Sequence, residues 1–301
     1  MMPVPSGILL VDKPQGWTSH DVVAKLRGIL KERRIGHGGT LDPMATGLLP
    51  IFIGRATRAA EYASLSGKQY IARLRLGIRT DTQDITGSVL DSFPVIAGEK
   101  ELRDLLLHFT GKIFQVPPMY SAVKIGGQPM YKLARKGKSV ERPPRPVTVS
   151  RLELLGGGGG EYELLVDCSA GTYVRTLCSD IGDALGCGAA LSALRRTRAA
   201  GFSLEDAHSL ETVAAAAAEG RAAELILPVD SLFPGYPAVT LDETQERFCR
   251  DGREFPISGA EGRYRVYGPG GDFLMLGELR RGPGGGSVMR TEKSFFEVNG
   301  V

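Results

Sequence analysis

The chain has 301 residues, 42% hydrophobic and 24% charged, with a net charge of +3, an ordinary composition for a globular protein of one large and one small domain. No apolar run nears the roughly 18 residues that a membrane-spanning helix needs. The start, MMPVPSGILLVDKP, lacks the cationic opening and small-residue cleavage site of a secretion signal, so the expected compartment is the cytoplasm.

In chain order, "TSHD" at 18–21 reads as a capping-box start. Val22, Val23, Leu26, Ile29 and Leu30 then recur at helical spacing, which predicts a helix ending near Arg34. "IGHGGTLDPMATGLLP" at 35–50 follows as a glycine-rich loop. Within it Asp42 is pushed towards an extended backbone by the proline after it. "KQYIARLRLG" at 68–77 alternates, with Tyr70, Ala72, Leu74 and Leu76 on one face, the pattern of a half-buried strand. "EKELRDLLLHF" reads as a helix. "MYKLARKGKSVERPPRPVTVS" reads as a short basic helix leading into an extended, proline-rich arm.

Five glycines at 156–160 make a hairpin-like connection into the strand "EYELLVDCS". "GTYVRTLCSDIGDALG" predicts a helix capped by Thr172 and stopped by Gly186, and "LETVAAAAAEG" an alanine-rich one. Near 234–237 the character changes. The remainder predicts a short helix, "DETQERFCRDG", and glycine-punctuated strands such as "GRYRVYG" and "FLMLGEL".

The modest net charge hides three basic clusters. Residues 131–151 hold seven Lys/Arg against Glu141, residues 25–34 hold five against Glu32, and "LRRTR" at 194–198 adds three. Clusters of this kind suit a phosphate backbone or a merely solvated face. Cys168, Cys178, Cys187 and Cys249 form no CxxC pair. The four histidines stand at no ligand spacing, so neither a disulfide framework nor a protein-built metal site is expected. "GKS" at 137–139 ends like a phosphate loop, but Lys132 stands where the leading glycine belongs. GxGxxG and GxSxG are missing.

Asp42 is either a turn residue or a reactive carboxylate at the rim of an apolar wall. Arg175 is anomalous if Thr172 caps its helix. A cation in a first turn opposes the helix dipole by roughly 0.3–1 kcal/mol, which points to a specific anionic partner, Asp42 or a phosphate. Tyr70 and Tyr173 are core or base-stacking residues by the same pattern, and His37, between glycines, is free to stack or donate.

"GILLVDKPQGWTSHDVV", "GHGGTLDPMATGLLP", "KQYIARLRLG", "PPMYSAVKIGGQPMYKLARKG", "CSAGTYVRTL" and "GCGAALSALRRTRAAGF" occur in this order from residue 7 to 202. The series resembles the successive motifs of the TruB family of tRNA pseudouridine synthases, and the tail resembles the small RNA-binding module called PUA. The resemblance implies an α+β fold. Residues 1–233 would form a catalytic domain on a mixed, largely antiparallel sheet, with an RNA-gripping insertion at about 124–151. Residues 234–301 would form a β-barrel-like PUA module.

It further implies an isomerase acting on uridine 55 in the T-loop of tRNA. That enzyme would be cytoplasmic and monomeric and would need no cofactor, metal, membrane, guide RNA or protein partner. In it Asp42 matches the catalytic aspartate. Tyr70 matches the tyrosine that packs on the flipped base and acts in proton transfer, and Arg175 the arginine that pairs with the aspartate. His37, Tyr173 and Leu194 match substrate-contacting positions, Lys13 with Pro14 a supporting pair near the site, and Lys132, Arg135, Lys136 and Lys138 the backbone-gripping segment. Whether the carboxylate attacks C6 of the base or C1′ of the ribose stays open. An N-glycosidase that frees the base, or an RNA chaperone in which the aspartate is incidental, are the alternatives from other classes. Departures from the pattern are Val174 where isoleucine is frequent, the glycine-rich connection at 156–160, and the glycine-heavy tail.

Overall fold

The computed structural model describes residues 4–120, 124–125, 128–130, 140–282 and 285–296. Its strands in chain order are β1 (Gly7–Lys13), β2 (Ile35–His37), β3 (Thr46–Ile53), β4 (Lys68–Leu76), β5 (Ile78–Thr80), β6 (Val89–Ser92), β7 (Gly111–Gln115), β8 (Lys124–Ile125), β9 (Gln128–Pro129), β10 (Arg145–Gly158), β11 (Glu161–Cys168), β12 (Ala189–Ala199), β13 (Phe202–Ser203) and β14 (Ile226–Leu227). One large sheet runs β14-β1-β3-β12-β4-β11-β10-β7, with β2 on β3 and β13 on β12. All its pairs are antiparallel except β3 with β12, which meet in parallel at Thr46–Arg195 and Gly47–Arg196. The sheet is therefore mixed and largely antiparallel, as expected.

Both faces of β1 and β3 are covered, which is why their sequences are almost continuously apolar. On one face, Leu9 and Val11 of β1 and Leu49, Ile51 and Ile53 of β3 pack against the helices Ser19–Leu30 and Leu210–Ala218. On the other, Ile8, Leu10, Leu48 and Phe52 meet Phe233, Leu276 and Phe295. The second half of the sheet, with Tyr70, Ala72, Leu74 and Leu164, buries the helix Val174–Ala184 through Leu177, Cys178 and Ile181.

The first helix starts where the sequence places it. Thr18 accepts from Asp21 N, and Asp21 reaches back to Thr18 N. It stops at Leu30, earlier than expected, because Lys31 takes a left-handed conformation (φ 56°). The 156–160 glycines form the β10–β11 turn, with Gly159 and Gly160 at positive φ. The basic helix expected in the 131–151 segment falls mostly on 131–139, outside the described residues.

After Pro237 a second sheet of five strands, β15 (Ala238–Thr240), β16 (Phe255–Pro256), β17 (Gly262–Tyr267), β18 (Phe273–Arg281) and β19 (Ser287–Ser294), runs β15-β17-β18-β19-β16. The helix Glu243–Arg250 packs on it through Cys249. Besides the shared apolar cluster, Tyr62 donates to Glu292 at 3.1 Å and Lys293 pairs with Glu61 at 2.5 Å, so this sheet is anchored on the large one.

Candidate active site

The loop between β2 and β3 is tied down on every side. Ser19 Oγ accepts from Leu41 N at 2.9 Å, Gly38 N donates to Pro50 O at 2.9 Å, and Gly16 N donates to Pro43 O at 2.8 Å. Leu41, Met44 and Ala45 are buried in the core. Two glycines permit the fold locally. Gly39 has φ +121°, and a Cβ there would lie 3.2 Å from the Lys68 side chain. Gly47 has φ +100°, and a Cβ there would lie 2.3 Å from Arg196 O. Only glycine allows both the turn and the close parallel approach of β12.

This loop delivers Asp42 to a cleft of about 600 Å³, lined by His37, Lys68, Tyr70, Tyr120, Tyr173, Arg175 and Leu194 among others. Arg175 Nε lies 3.0 Å from Asp42 Oδ2; the arginine side chain is 7% exposed and the carboxylate 40%. Arg175 sits in the first turn of its helix, against the dipole, and Asp42 is one of the two anionic partners the sequence offered for it. The helix does not start as predicted, however. Its N-cap is Tyr173, with no side-chain cap bond, and Thr172 instead lies 3.5 Å from Ser169 Oγ.

A second carboxylate, missed in the sequence, completes the set. Asp84 is 4% exposed, and its Oδ1 accepts from Thr82 Oγ1 (2.9 Å), Thr86 N (3.0 Å) and Thr86 Oγ1 (2.5 Å). Its Oδ2 is left to face Arg175 Nη1 at 3.4 Å. Thr82 O and Tyr120 O accept from the same guanidinium at 3.1 and 2.8 Å. The available signal was local: "TDTQDIT", an aspartate with threonines two residues to either side, is built to hold one carboxylate oxygen.

Arg175 would by itself keep Asp42 ionised, but burial outweighs it. The carboxyl is pushed above its ordinary value by burial, Arg175 opposes this, Asp84 adds to the rise, and Lys13 lowers it. The result is a carboxylate made more basic yet held against Nε of a guanidinium whose other nitrogens are anchored on Thr82 O, Asp84 and Tyr120 O. Activity that needs ionised Asp42 should thus fall on an acid limb above the ordinary aspartate value of 3.8. Asp84→Asn removes a neighbouring negative charge, so the limb should move to lower pH. A pH–rate profile of both proteins checks this, and an unmoved limb would dismiss Asp84 as an influence on Asp42.

Tyr70 is 7% exposed and forms one wall. Burial pushes its phenol up, with the Arg196 guanidinium pulling the other way, so it is a neutral phenol near pH 7. Tyr173 and Leu194 line the cleft as expected. His37 lines it too, with its ring edge-on to His20 at 5.3 Å. Burial, His20 and Arg196 push its pKa down to about 4, leaving a neutral imidazole.

Lys13 is not among the residues lining the cleft. It is fully buried, and its Nζ donates to Trp17 O (2.6 Å), Pro14 O (2.9 Å) and Pro43 O (3.4 Å), so it braces the residue after Asp42. Burial lowers its pKa to about 8. The three cations of "LRRTR" do not share one face: Arg198 is exposed, but the other two are engaged. Arg196 is fully buried, donating to Leu48 O at 2.7 Å and Gly39 O at 3.1 Å, and Arg195 is paired with Asp12 at 2.7 Å. Lys132, Arg135, Lys136 and Lys138 lie outside the described residues. Lys68, read only as a strand start, lines the cleft, and burial lowers its pKa to about 8. Among the described residues no three His, Cys, Asp or Glu are grouped to hold a metal, and no helix is long and apolar enough to cross a membrane.

A carboxylate clamped by arginine beside a buried aromatic wall is equipped for nucleophilic or acid–base work on a flat ligand. Comparison with known proteins specifies the reaction class. The profile of the TruB family pseudouridylate synthase (N terminal domain) matches residues 27–174, and that of the tRNA pseudouridylate synthase B C-terminal domain matches residues 175–234. The tRNA pseudouridine synthase B of Aromatoleum aromaticum is 46% identical over 273 residues, 90% of this chain and 88% of its own. That of Pseudomonas fluorescens strain Pf0-1 is 44% identical over 279 residues, 91% and 92% of the two chains. Among solved structures, a chain of a Cbf5-Nop10-Gar1 complex superposes with a TM-score of 0.74 at 28% identity, over 97% of this chain and 86% of its own. The fold is that of a pseudouridine synthase, an isomerase. Within that class, the chain belongs to the TruB family of pseudouridylate synthases.

Proposed function

We propose that the protein converts uridine 55 in the T-loop of tRNA to pseudouridine, acting alone as a cytoplasmic monomer, with Asp42 as nucleophile. The observation that carries this reading is the 3.0 Å Asp42–Arg175 pair on the floor of a cleft walled by Tyr70. It is supported by relatives named for tRNA over nine-tenths of the chain. Isomerisation breaks the N1–C1′ bond, turns the base and joins C5 to C1′. The C5 proton leaves and N1 gains one, so no electrons and no external group are exchanged.

In this scheme Asp42 attacks C6 of the base or C1′ of the ribose while Arg175 holds it aimed. Neutral Tyr70 and Leu194 keep the detached uracil flat, and Tyr173 and His37 contact the target nucleotide and its neighbours. The nucleotide must first leave its stack, at a cost of a few kcal/mol. Lys132, Arg135, Lys136 and Lys138 offset that by gripping phosphates. Residues 1–233 act as the catalytic unit. The tail from 234, taken as a PUA-like module, adds RNA contacts.

Chemical mapping of pseudouridine in unmodified tRNA, incubated with and without the protein, tests the assignment. One new pseudouridine at position 55 is the expected result; release of free uracil, or a site elsewhere, would reject it. Replacing the four insertion cations with glutamine should weaken tRNA binding and flatten its dependence on salt by up to about four counterions' worth of slope. Equal slopes in titrations of both proteins would place the phosphate grip elsewhere.

A further inference from the structure

The helix that carries Arg175 begins without a cap of its own, although its first N–H groups have no partners within the helix. The missing restraint comes from a strand 58 residues away. Gln115, the last residue of β7, is 2% exposed. Its Oε1 accepts from Tyr173 N at 3.0 Å, and its Nε2 donates to Tyr173 O at 3.3 Å. The two bonds mimic one rung of an antiparallel ladder. They fix both the position and the rotation of the N-cap residue, two places before Arg175.

The segment that follows Gln115 reaches the same side chain. Tyr120 O accepts from Arg175 Nη2, and Arg142 returns to bond Pro117 O at 3.0 Å. The helix would survive without Gln115, because Leu177, Cys178 and Ile181 are fully buried along its core-facing side. Its first turn would not be held. An ion pair made through the single Nε–Oδ2 contact at 3.0 Å tolerates little displacement, since catalytic constellations need geometry fixed to within about 0.5 Å.

We propose that Gln115 is a positioning residue for the isomerisation, setting the guanidinium of Arg175 against Asp42 through its paired bonds to the Tyr173 backbone. It touches no substrate. The inference rests on Asp42 and Arg175 being the working pair, and the experiment separates the two claims.

Gln115→Glu and Gln115→Met are compared with the unaltered full-length chain by single-turnover conversion of tRNA, tRNA binding and thermal unfolding. The ionised glutamate still accepts from Tyr173 N but sets a negative oxygen against Tyr173 O. Once protonated it regains the missing donor. Both variants should convert tRNA about 10- to 100-fold more slowly at pH 8, with affinity within threefold and full folding at the assay temperature. As the pH is lowered, the glutamate variant should recover relative to the unaltered protein, while the methionine variant should not. An unaltered rate in both variants overturns the inference. So does a glutamate deficit that does not change with pH, or a loss matched by lost affinity or lost folded fraction. The glutamate variant is isosteric and carries the test by itself if methionine prevents folding. Arg175→Lys is run beside them. Unaltered turnover there refutes the Asp42–Arg175 reading, whereas a slow Arg175→Lys with unaltered Gln115 variants refutes only the role of Gln115.

Discussion

Asp42→Asn should reduce isomerisation by at least about 10⁴-fold, the scale on which loss of an attacking group is felt, while tRNA binding stays within a few-fold. The substitution keeps the size and most of the hydrogen-bonding shape of the side chain. It removes only the charge and the nucleophilic oxygen. The loop that carries it is held by the backbone bonds of Gly16 and Gly38 and by the Leu41 N–H donating to Ser19 Oγ, none of which involves the carboxylate, so its path should not change.

The folded protein should not suffer. Folding raises the pKa of Asp42, so the folded chain binds this proton more tightly than the unfolded chain does. The contribution of Asp42 to stability therefore falls as pH rises from the ordinary value of 3.8 through the raised one. At neutral pH the ionised carboxylate is a burden on the fold, and the asparagine variant should melt at the same temperature or higher. Calorimetry together with a tritium-release assay on tRNA labelled at C5 reads both outcomes. Undiminished release would remove Asp42 from the chemistry; a large drop in melting temperature would recast it as a structural residue.

Much of this arrangement is legible in the sequence because it is local. Alternation assigned the buried face of β4 through Tyr70, Ala72, Leu74 and Leu76, and the Thr18–Asp21 box marked the start of the first helix. Arg175 drew notice because a cation in a first turn contradicts the helix dipole, and such contradictions collect at functional sites. Arg196 was illegible for a specific reason. The β12–β4 register slips between Leu191 and Ala193 and again between Arg196 and Arg198, so the alternation changes phase twice along β12. A count by twos cannot say which arginine of "LRRTR" turns inward. The threonines beside Asp84 mark a held carboxylate but not the arginine 91 residues away that its other oxygen faces; Gln115 bonds a backbone 58 residues away, and a glutamine before a proline-rich run carries no periodic signal. The cap assigned to Thr172 failed on the same ground, since the restraint on that helix comes from another strand.

Arg175→Lys should lose about 10²–10³-fold in rate although the charge is conserved. Four acceptors surround this one guanidinium: Asp42 on Nε, Asp84 and Thr82 O on Nη1, and Tyr120 O on Nη2. An ammonium has three donors radiating from one point and cannot span acceptors arranged around a plane. A lysine here would satisfy the deeply buried Asp84 and its neighbouring carbonyls, or Asp42, but not both sets. Asp84 is the more buried carboxylate, so the ammonium should settle there and leave Asp42 without its guide. The loss should therefore appear in the chemical step, not in binding, and burial should lift the acid limb of the pH–rate profile further, because Asp42 loses its nearest counter-charge. Single-turnover rates across pH, with tRNA affinity measured in parallel, distinguish this from simple loss of charge. A lysine variant with full rate and an unshifted limb would show that positive charge alone suffices and that the planar fork is dispensable.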